Sequence, residues 1–71
     1  MVSFDEYTVN LGAKIRDKRE QTCMSLRAFG MMTGIHHNQL LLIEQGKTNP
    51  SLKTLYKIAE GLDVDLVELL N

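Results

Sequence analysis

The chain is short, almost neutral and ordinary in composition. Its 71 residues are 44% hydrophobic and 24% charged, with a net charge of −1, and a chain of this length forms one domain with a thin stability margin. No apolar run approaches the roughly 20 residues of a membrane-spanning helix, the amino terminus lacks a secretory pattern, and a single cysteine excludes an internal disulfide. We therefore expect a cytoplasmic protein without a membrane partner.

Charge is unevenly distributed along this sequence. Residues 14–57 contain all eight Lys and Arg and only three carboxylates, a net charge of +5, whereas the residues on either side contain six carboxylates. A basic centre with acidic ends suits a protein that presents one face to nucleic-acid phosphates. Charge alone leaves a second interpretation open, in which these are ordinary solvated surface charges.

The first helix is predicted to begin near Phe4. Ser3 and Glu6 have the spacing of a capping box, and an apolar stripe at helical spacing follows, formed by Phe4, Tyr7, Leu11 and Ile15. Gly12 costs about 1 kcal/mol relative to alanine in a helix interior, so the first turns could fray. This amino-terminal part could serve as a dimer contact or pack on its own domain.

A helix-turn-helix is predicted between Phe29 and Ser51. Gly30 permits two short helices to meet closely, and Gly34 supplies the positive φ of a turn. Ser25 is the expected N-cap of the first of these helices, over residues 26–33, with Phe29 and Met32 inward. The second is expected from His36 or His37 to Gln45, with an inward stripe of Ile35, Leu40 and Ile43.

Two further helices are predicted after this motif. Ser51 caps the first, which has Leu52, Leu55, Ile58 and Ala59 inward and ends at Asp63 in a left-handed conformation. Asp65 and Glu68 resemble another capping box at the start of a short last helix. That helix has more apolar surface than one small core needs, so we predict a homodimer interface at Leu66, Val67, Leu69 and Leu70.

Four ordered motifs carry a family resemblance: L-G-x-K-I-R-x-x-R-E, G-x-x-x-G-I, I-E-x-G-K-x-N-P-S and L-x-x-L-x-x-I-A-x-x-L-x-V-x-L-x-E-L-L. Over residues 11–70 the chain resembles the Cro/C1 (Xre) family of phage-repressor-like helix-turn-helix domains. The resemblance implies an all-α, compact five-helix, lambda-repressor-like fold over residues 9–71, preceded by an extension of residues 1–8. Cys23 stands where the family usually has glycine, which predicts either a different turn or backbone strain.

The resemblance also implies roles for individual residues. Arg19 and Glu44 would form a structural ion pair, and His37, Asn38 and Leu42 would lie toward base edges. An amide such as that of Asn38 can pair bidentately with adenine, whereas Leu42 can only pack on a thymine methyl. The candidates for DNA backbone contact are Arg27, His36, Gln39, Lys47, Asn49 and Lys53.

The function predicted from these features is that of a sequence-specific DNA-binding transcriptional regulator, binding double-stranded DNA as a homodimer on a pseudo-palindromic operator. The alternative is a protein-interaction module that keeps the fold, because Leu26, Leu41 and Leu42 are apolar where DNA readers usually carry polar side chains. No catalytic constellation, cofactor motif or metal-ligand spacing occurs in the sequence, so we expect neither an enzyme nor a metalloprotein.

Overall fold

Five α-helices make up the computed structural model, which describes residues 3–71. They are α1 (Phe4–Gln21), α2 (Leu26–Thr33), α3 (His37–Glu44), α4 (Leu52–Leu62) and α5 (Leu66–Leu70). No strand occurs within this range, and none of its helices is long and apolar enough to cross a membrane. The predicted all-α, five-helix fold is confirmed. Met1 and Val2 of the predicted extension lie outside the described residues, and the rest of it forms the first turns of α1.

Serine side chains fix the starts of three helices. In each case the backbone of the cap is extended and its hydroxyl accepts a hydrogen bond of 3.0–3.2 Å from the backbone N–H three residues further on. This bond satisfies one of the N–H groups that a helix start leaves without an intrahelical partner. The predicted serine caps are therefore confirmed: Ser3, Ser25 and Ser51. Asp65 makes no such bond, so the predicted capping box before α5 is wrong.

Four residues with left-handed backbone conformations end or follow helices. Two are glycines, Gly34 (φ 77°) and Gly46 (φ 72°), and two are not, Cys23 (φ 61°) and Asp63 (φ 57°). Aspartate tolerates this region because its short polar side chain can hydrogen-bond locally, whereas cysteine has no such compensation. The strain expected at Cys23 is thus present, in the turn between α1 and α2.

Every helix contributes to a single apolar core. The side chains with no measurable exposure are Ile15, Phe29, Leu40 and Ile58, and Ile35 and Ile43 are also buried, as their spacing predicts. Two residues that were predicted to face inward do not. Leu52 is two-thirds exposed because the side chain of a first helical residue leans back past the helix start. Met32 is half exposed because α4 approaches α2 at Gly61, which leaves Met32 at the edge of this contact.

The short helix α5 divides its apolar residues between the core and solvent. Leu69 is 1% exposed and Leu66 packs partly against the core, whereas Val67 and Leu70 remain 64% and 54% exposed. Residues three apart lie on the same helix face, so only the second pair faces outward. Leu69 is therefore not available to a second chain, and we correct the predicted dimer surface by removing it.

Helix α1 makes two contacts that were not predicted from the sequence. These contacts hold the neighbouring helices in place. A Cβ added to Gly12 would lie 2.3 Å from the carbonyl oxygen of Ile43 and 2.6 Å from that of Glu44, so the backbones of α1 and α3 touch there. The Lys14 Nζ donates to the backbone carbonyls of Glu68, at 3.5 Å, and Asn71. These carbonyls at the end of α5 lack intrahelical partners, and a cation there is favourable.

Candidate nucleic-acid interface

The turn between α2 and α3 holds the two helices at a fixed crossing. Gly34 ends α2 in the left-handed conformation, and its N–H donates to the Gly30 carbonyl at 2.9 Å. A Cβ on Gly30 would lie 2.7 Å from the carbonyl oxygen of Ile35, so any larger residue would push the turn away. The close approach predicted at Gly30 therefore sets the position from which α3 begins.

Burial of one side of α3 determines which side faces solvent. Leu40 and Ile43 have almost no exposed surface, and Glu44 at the helix end is also buried. Because adjacent helical residues point about 100° apart, the remaining side chains project outward. This outward face consists of His37, which is partly buried, and four exposed residues: Asn38, Gln39, Leu41 and Leu42.

His36 caps the start of this helix. Its Nδ1 accepts a hydrogen bond from the backbone N–H of Asn38 at 3.1 Å, and its ring stacks on that of His37 with centroids 4.5 Å apart. An Nδ1 that accepts carries no proton, so the neutral ring has its proton on Nε2. The phosphate contact predicted for His36 would thus use Nε2–H as the donor while Nδ1 keeps its bond to the helix.

His37 stacks on His36 and shares a groove with Arg27 of α2. Partial burial, the Arg27 guanidinium and His36 all lower the pKa of His37 below its usual 6.5. The ring is therefore neutral at pH 7 and can both donate and accept a hydrogen bond. Arg27, His36 and His37 line one shallow groove of about 470 Å³ between α2 and α3, so three predicted site residues lie together.

Of the remaining predicted backbone contacts, Gln39 lies on the outward face of α3 and three residues follow the helix. Lys47, Asn49 and Lys53 are exposed and lie in the segment from the end of α3 to the first turn of α4. The N–H of Lys47 donates to the Leu42 carbonyl at 2.9 Å, across the left-handed Gly46, which is a common way to end a helix. These residues are not part of the groove around Arg27, so the cations form two groups along the chain.

Arg19 and Glu44 form a buried ion pair that ties the end of α3 to α1. Arg19 donates from Nε and Nη2 to the two carboxylate oxygens of Glu44 at 2.7 and 3.0 Å, and from Nη1 to the Met24 carbonyl at 2.7 Å. The hydrogen bonds to Glu44 raise the pKa of Arg19 further above its usual value. Paired in this bidentate way, the two charges fix where α3 ends.

Within residues 3–71 no group of three or more His, Cys, Asp and Glu side chains could hold a metal ion. Every buried polar side-chain atom in the same range has a hydrogen-bond partner. The predicted site residues lie on the exposed face of α3 and on the segments that flank it. Leu41 is exposed on this face beside Leu42, where the sequence already showed apolar residues in place of the usual polar ones, although only Leu42 was predicted to lie toward base edges.

Two helices joined by a left-handed glycine turn, the second presenting a polar face beside cations, define a helix-turn-helix domain. A comparison with protein families leads to the same class, since the helix-turn-helix family model HTH_3 matches residues 15–69. The chain belongs to this Cro/C1-type helix-turn-helix family. The match begins inside α1, so the first turns of that helix precede it.

Several solved structures resemble the chain over most of its length. The restriction-modification controller protein C.AhdI from Aeromonas hydrophila is 27% identical, with a TM-score of 0.85 over 87% of this chain and 94% of that one. SinR, a master regulator for biofilm formation solved in complex with DNA, is 32% identical, with a TM-score of 0.81 over 86% of this chain and 98% of that one.

A third structure, an HTH_3 family transcriptional regulator from Vibrio cholerae, is 27% identical, with a TM-score of 0.89 over 94% of this chain but 38% of its own length. A search of curated protein sequences returned no match. The family and these relatives support a DNA-binding regulator of transcription.

Proposed function

We propose that this protein is a sequence-specific transcriptional regulator that binds a pseudo-palindromic operator as a homodimer, with α3 in the major groove. The observation that carries the proposal is the outward face of α3, held by the Gly30 contact and by the buried Arg19–Glu44 pair. Recognition of base edges requires a rigidly held helix with polar residues at its start. The reason is that a hydrogen bond distinguishes bases only when its geometry is fixed.

Base reading is assigned to His37, Asn38 and Leu42. Asn38 is exposed and its backbone is held by the His36 cap, so its amide can pair with the N6 and N7 of adenine. His37, neutral at pH 7, can donate to guanine or accept from an amino group. Leu42 lies one turn further along, where it can contact only a methyl group.

Phosphate contacts position the protein without reading sequence. Arg27 is the second residue of α2, whose first N–H groups favour an anion, and it borders the groove between α2 and α3. The other candidates are exposed donors on α3 or in the segment that follows it. The proposed backbone contacts are Arg27, His36, Gln39, Lys47, Asn49 and Lys53.

The homodimer is proposed to form through α5, at Val67, Leu70 and the exposed part of Leu66. Leu70 also borders an open groove of about 500 Å³ whose other wall includes Phe4 and Tyr7 of α1, both more than half exposed. Apolar surface of this kind stabilises a protein when a second chain covers it. Replacing both Val67 and Leu70 with aspartate is expected to shift sedimentation from dimer to monomer while the helical circular dichroism is retained.

The test of this function is selection of bound duplexes from a random DNA pool, followed by sedimentation of the protein with its best site. We expect an inverted repeat with half-sites about 34 Å apart, bound by two chains. Binding should weaken with salt at a log–log slope of about −0.9 for each neutralised phosphate. Failure to enrich any sequence, with weak binding to all DNA, would contradict the proposal.

Asn38→Ala is expected to weaken binding to the selected site by about 1–3 kcal/mol and to relax the preference at one base pair. The physical reason is the loss of a bidentate contact in a desolvated groove. Gln45→Ala, at the exposed end of α3, serves as the control and should leave that preference unchanged. If Asn38→Ala retains the wild-type preference at every position, then Asn38 does not read a base.

A second candidate function is a protein-interaction module, and the exposed leucines Leu41 and Leu42 are the observation that favours it. Association driven by leucine contacts should respond little to salt, because few ions are released when apolar surfaces meet. The salt dependence therefore separates the two functions.

A further inference from the structure

Leu41 and Leu42 are exposed on a helix whose core positions are already filled. They are 39% and 44% exposed, and neither belongs to the side chains that pack against the core, whereas Leu40 and Ile43 fill the adjacent core positions. The fold therefore does not require an apolar residue at either place. Both leucines lie on the outward face of α3, and an apolar group of a ligand that covered them would remove apolar surface from water, which is favourable.

The two leucines extend two rows of polar residues. Residues four apart lie on the same face of a helix, so Leu41 follows His37 and Leu42 follows Asn38. Each row therefore begins with a side chain that can hydrogen-bond and ends with one that cannot. The rise within each row is about 6 Å, which is close to two base-pair steps of about 3.4 Å. A helix lying along the groove would place the leucines about two base pairs from the polar contacts.

Resting on the DNA-binding function proposed above, we infer that Leu41 and Leu42 recognise C5-methyl groups of pyrimidines in the major groove, about two base pairs from the bases that His37 and Asn38 contact. A C5-methyl group is the apolar feature that a base pair presents in this groove. An unmethylated cytosine presents only a hydrogen atom at C5, so leucine would bury less apolar surface against it.

DNA fits this surface better than a protein partner does. Two leucines that each expose less than half of their surface provide much less than the roughly 300–600 Å² of the largest apolar patch on a typical monomer. Polar residues and cations surround them, with Asn38 on one side, Lys47 after the helix and Arg27 beside His37. A small apolar spot within a polar, basic surface matches the major groove, where methyl groups are scattered among hydrogen-bonding atoms.

The test compares four chemical forms of the selected site, which differ at one pyrimidine. Deoxyuridine in place of one thymidine removes only the methyl group, and 5-methylcytosine in place of a cytosine at the same position adds one. For the wild-type protein we expect a loss of about fourfold in affinity for each contacted methyl that is removed, which corresponds to about 0.8 kcal/mol per buried methyl. A gain with 5-methylcytosine over cytosine assigns recognition to the methyl group itself. A gain with thymine but none with 5-methylcytosine would overturn recognition of the C5-methyl group.

The protein variants are Leu41→Ala and Leu42→Ala, which keep a good helix former at an exposed position. In each variant the difference between thymidine and deoxyuridine at the contacted position should disappear, because the partner of the methyl group is gone. Met31→Ala removes an exposed apolar side chain from α2 instead and should retain the full difference. Circular dichroism of all three checks that the helices persist.

The outcomes distinguish this inference from the function on which it rests. A wild-type protein that selects an operator but binds its thymidine and deoxyuridine forms equally overturns methyl recognition and leaves the regulator intact. A protein that selects no operator contradicts the regulator itself. Loss of the deoxyuridine effect in Met31→Ala as well would show that the effect does not arise at α3, and would also overturn the inference.

Discussion

Arg19→Ala is expected to destabilise the domain by about 3–5 kcal/mol, because it leaves the Glu44 carboxylate buried without its partner. The three hydrogen bonds of the guanidinium to Glu44 and to the Met24 carbonyl are lost together. A chain of 71 residues has a total stability of roughly 4–11 kcal/mol, so this loss is a large part of the whole. Urea denaturation measures it, with trimethylamine oxide added to keep the variant folded at the starting point.

An exposed ion pair on the same helix provides the matched control. Arg16 lies 3.6 Å from Glu20, with both side chains more than half exposed, so Arg16→Ala should cost less than about 0.5 kcal/mol. The double variant Arg19→Met with Glu44→Leu removes both buried charges and should be less destabilised than Arg19→Ala. Equal stabilities of Arg19→Ala and Arg16→Ala would show that the buried pair does not stabilise α3 against α1.

Gly12→Ala is expected to destabilise the domain by about 1–3 kcal/mol, opposite in sign to the usual effect of this substitution in a helix. Alanine normally favours a helix over glycine by about 1 kcal/mol. Here the added Cβ would lie 2.3 Å from the Ile43 carbonyl oxygen and 2.6 Å from that of Glu44, and both are backbone atoms of the helix that carries the base contacts. The helices must therefore separate, which should also weaken DNA binding.

Thermal unfolding and operator binding measure the two effects of Gly12→Ala. The control is Ala13→Gly at the next position, which is exposed and should cost only the ordinary helix propensity of about 1 kcal/mol, without a change in DNA affinity. A stabilised Gly12→Ala variant with unchanged affinity would mean that α1 and α3 do not touch at this point.

The helix boundaries follow from local chemistry and were therefore accessible from the sequence. Ser3, Ser25 and Ser51 supply caps that depend only on residues three positions away, and Gly34 and Gly46 supply positive φ where the chain must turn. The spacing of apolar residues along each helix also predicted most of the buried core. The predictions failed at Met32, whose exposure depends on how α4 packs against α2, and at Leu52, whose side chain leans back past the start of its own helix.

Some features of the candidate site could likewise be predicted from local sequence, and others depended on the tertiary structure. The outward direction of Asn38 and Leu42 follows from the helical period once Leu40 and Ile43 are placed inward. The hydrogen bond from the Asn38 N–H to His36 Nδ1 joins residues two apart and is local, whereas the groove shared with Arg27 required the positions of two helices. The roles proposed for these residues toward DNA follow from side-chain chemistry and from the family, and they remain predictions that the selection experiment tests.

By itself the sequence determined the helix-turn-helix, its caps and the family, because these depend on residue types at fixed short separations. Only the tertiary structure decided that Leu69 belongs to the core while Val67 and Leu70 do not, since a five-residue helix of mostly apolar residues has no period that distinguishes its faces. From the sequence, Gly12 was expected only to weaken α1. The tertiary structure shows that Gly12 is where α1 contacts the backbone of α3. The physical reason is that the space beside a residue is set by what packs there, which a local pattern does not contain.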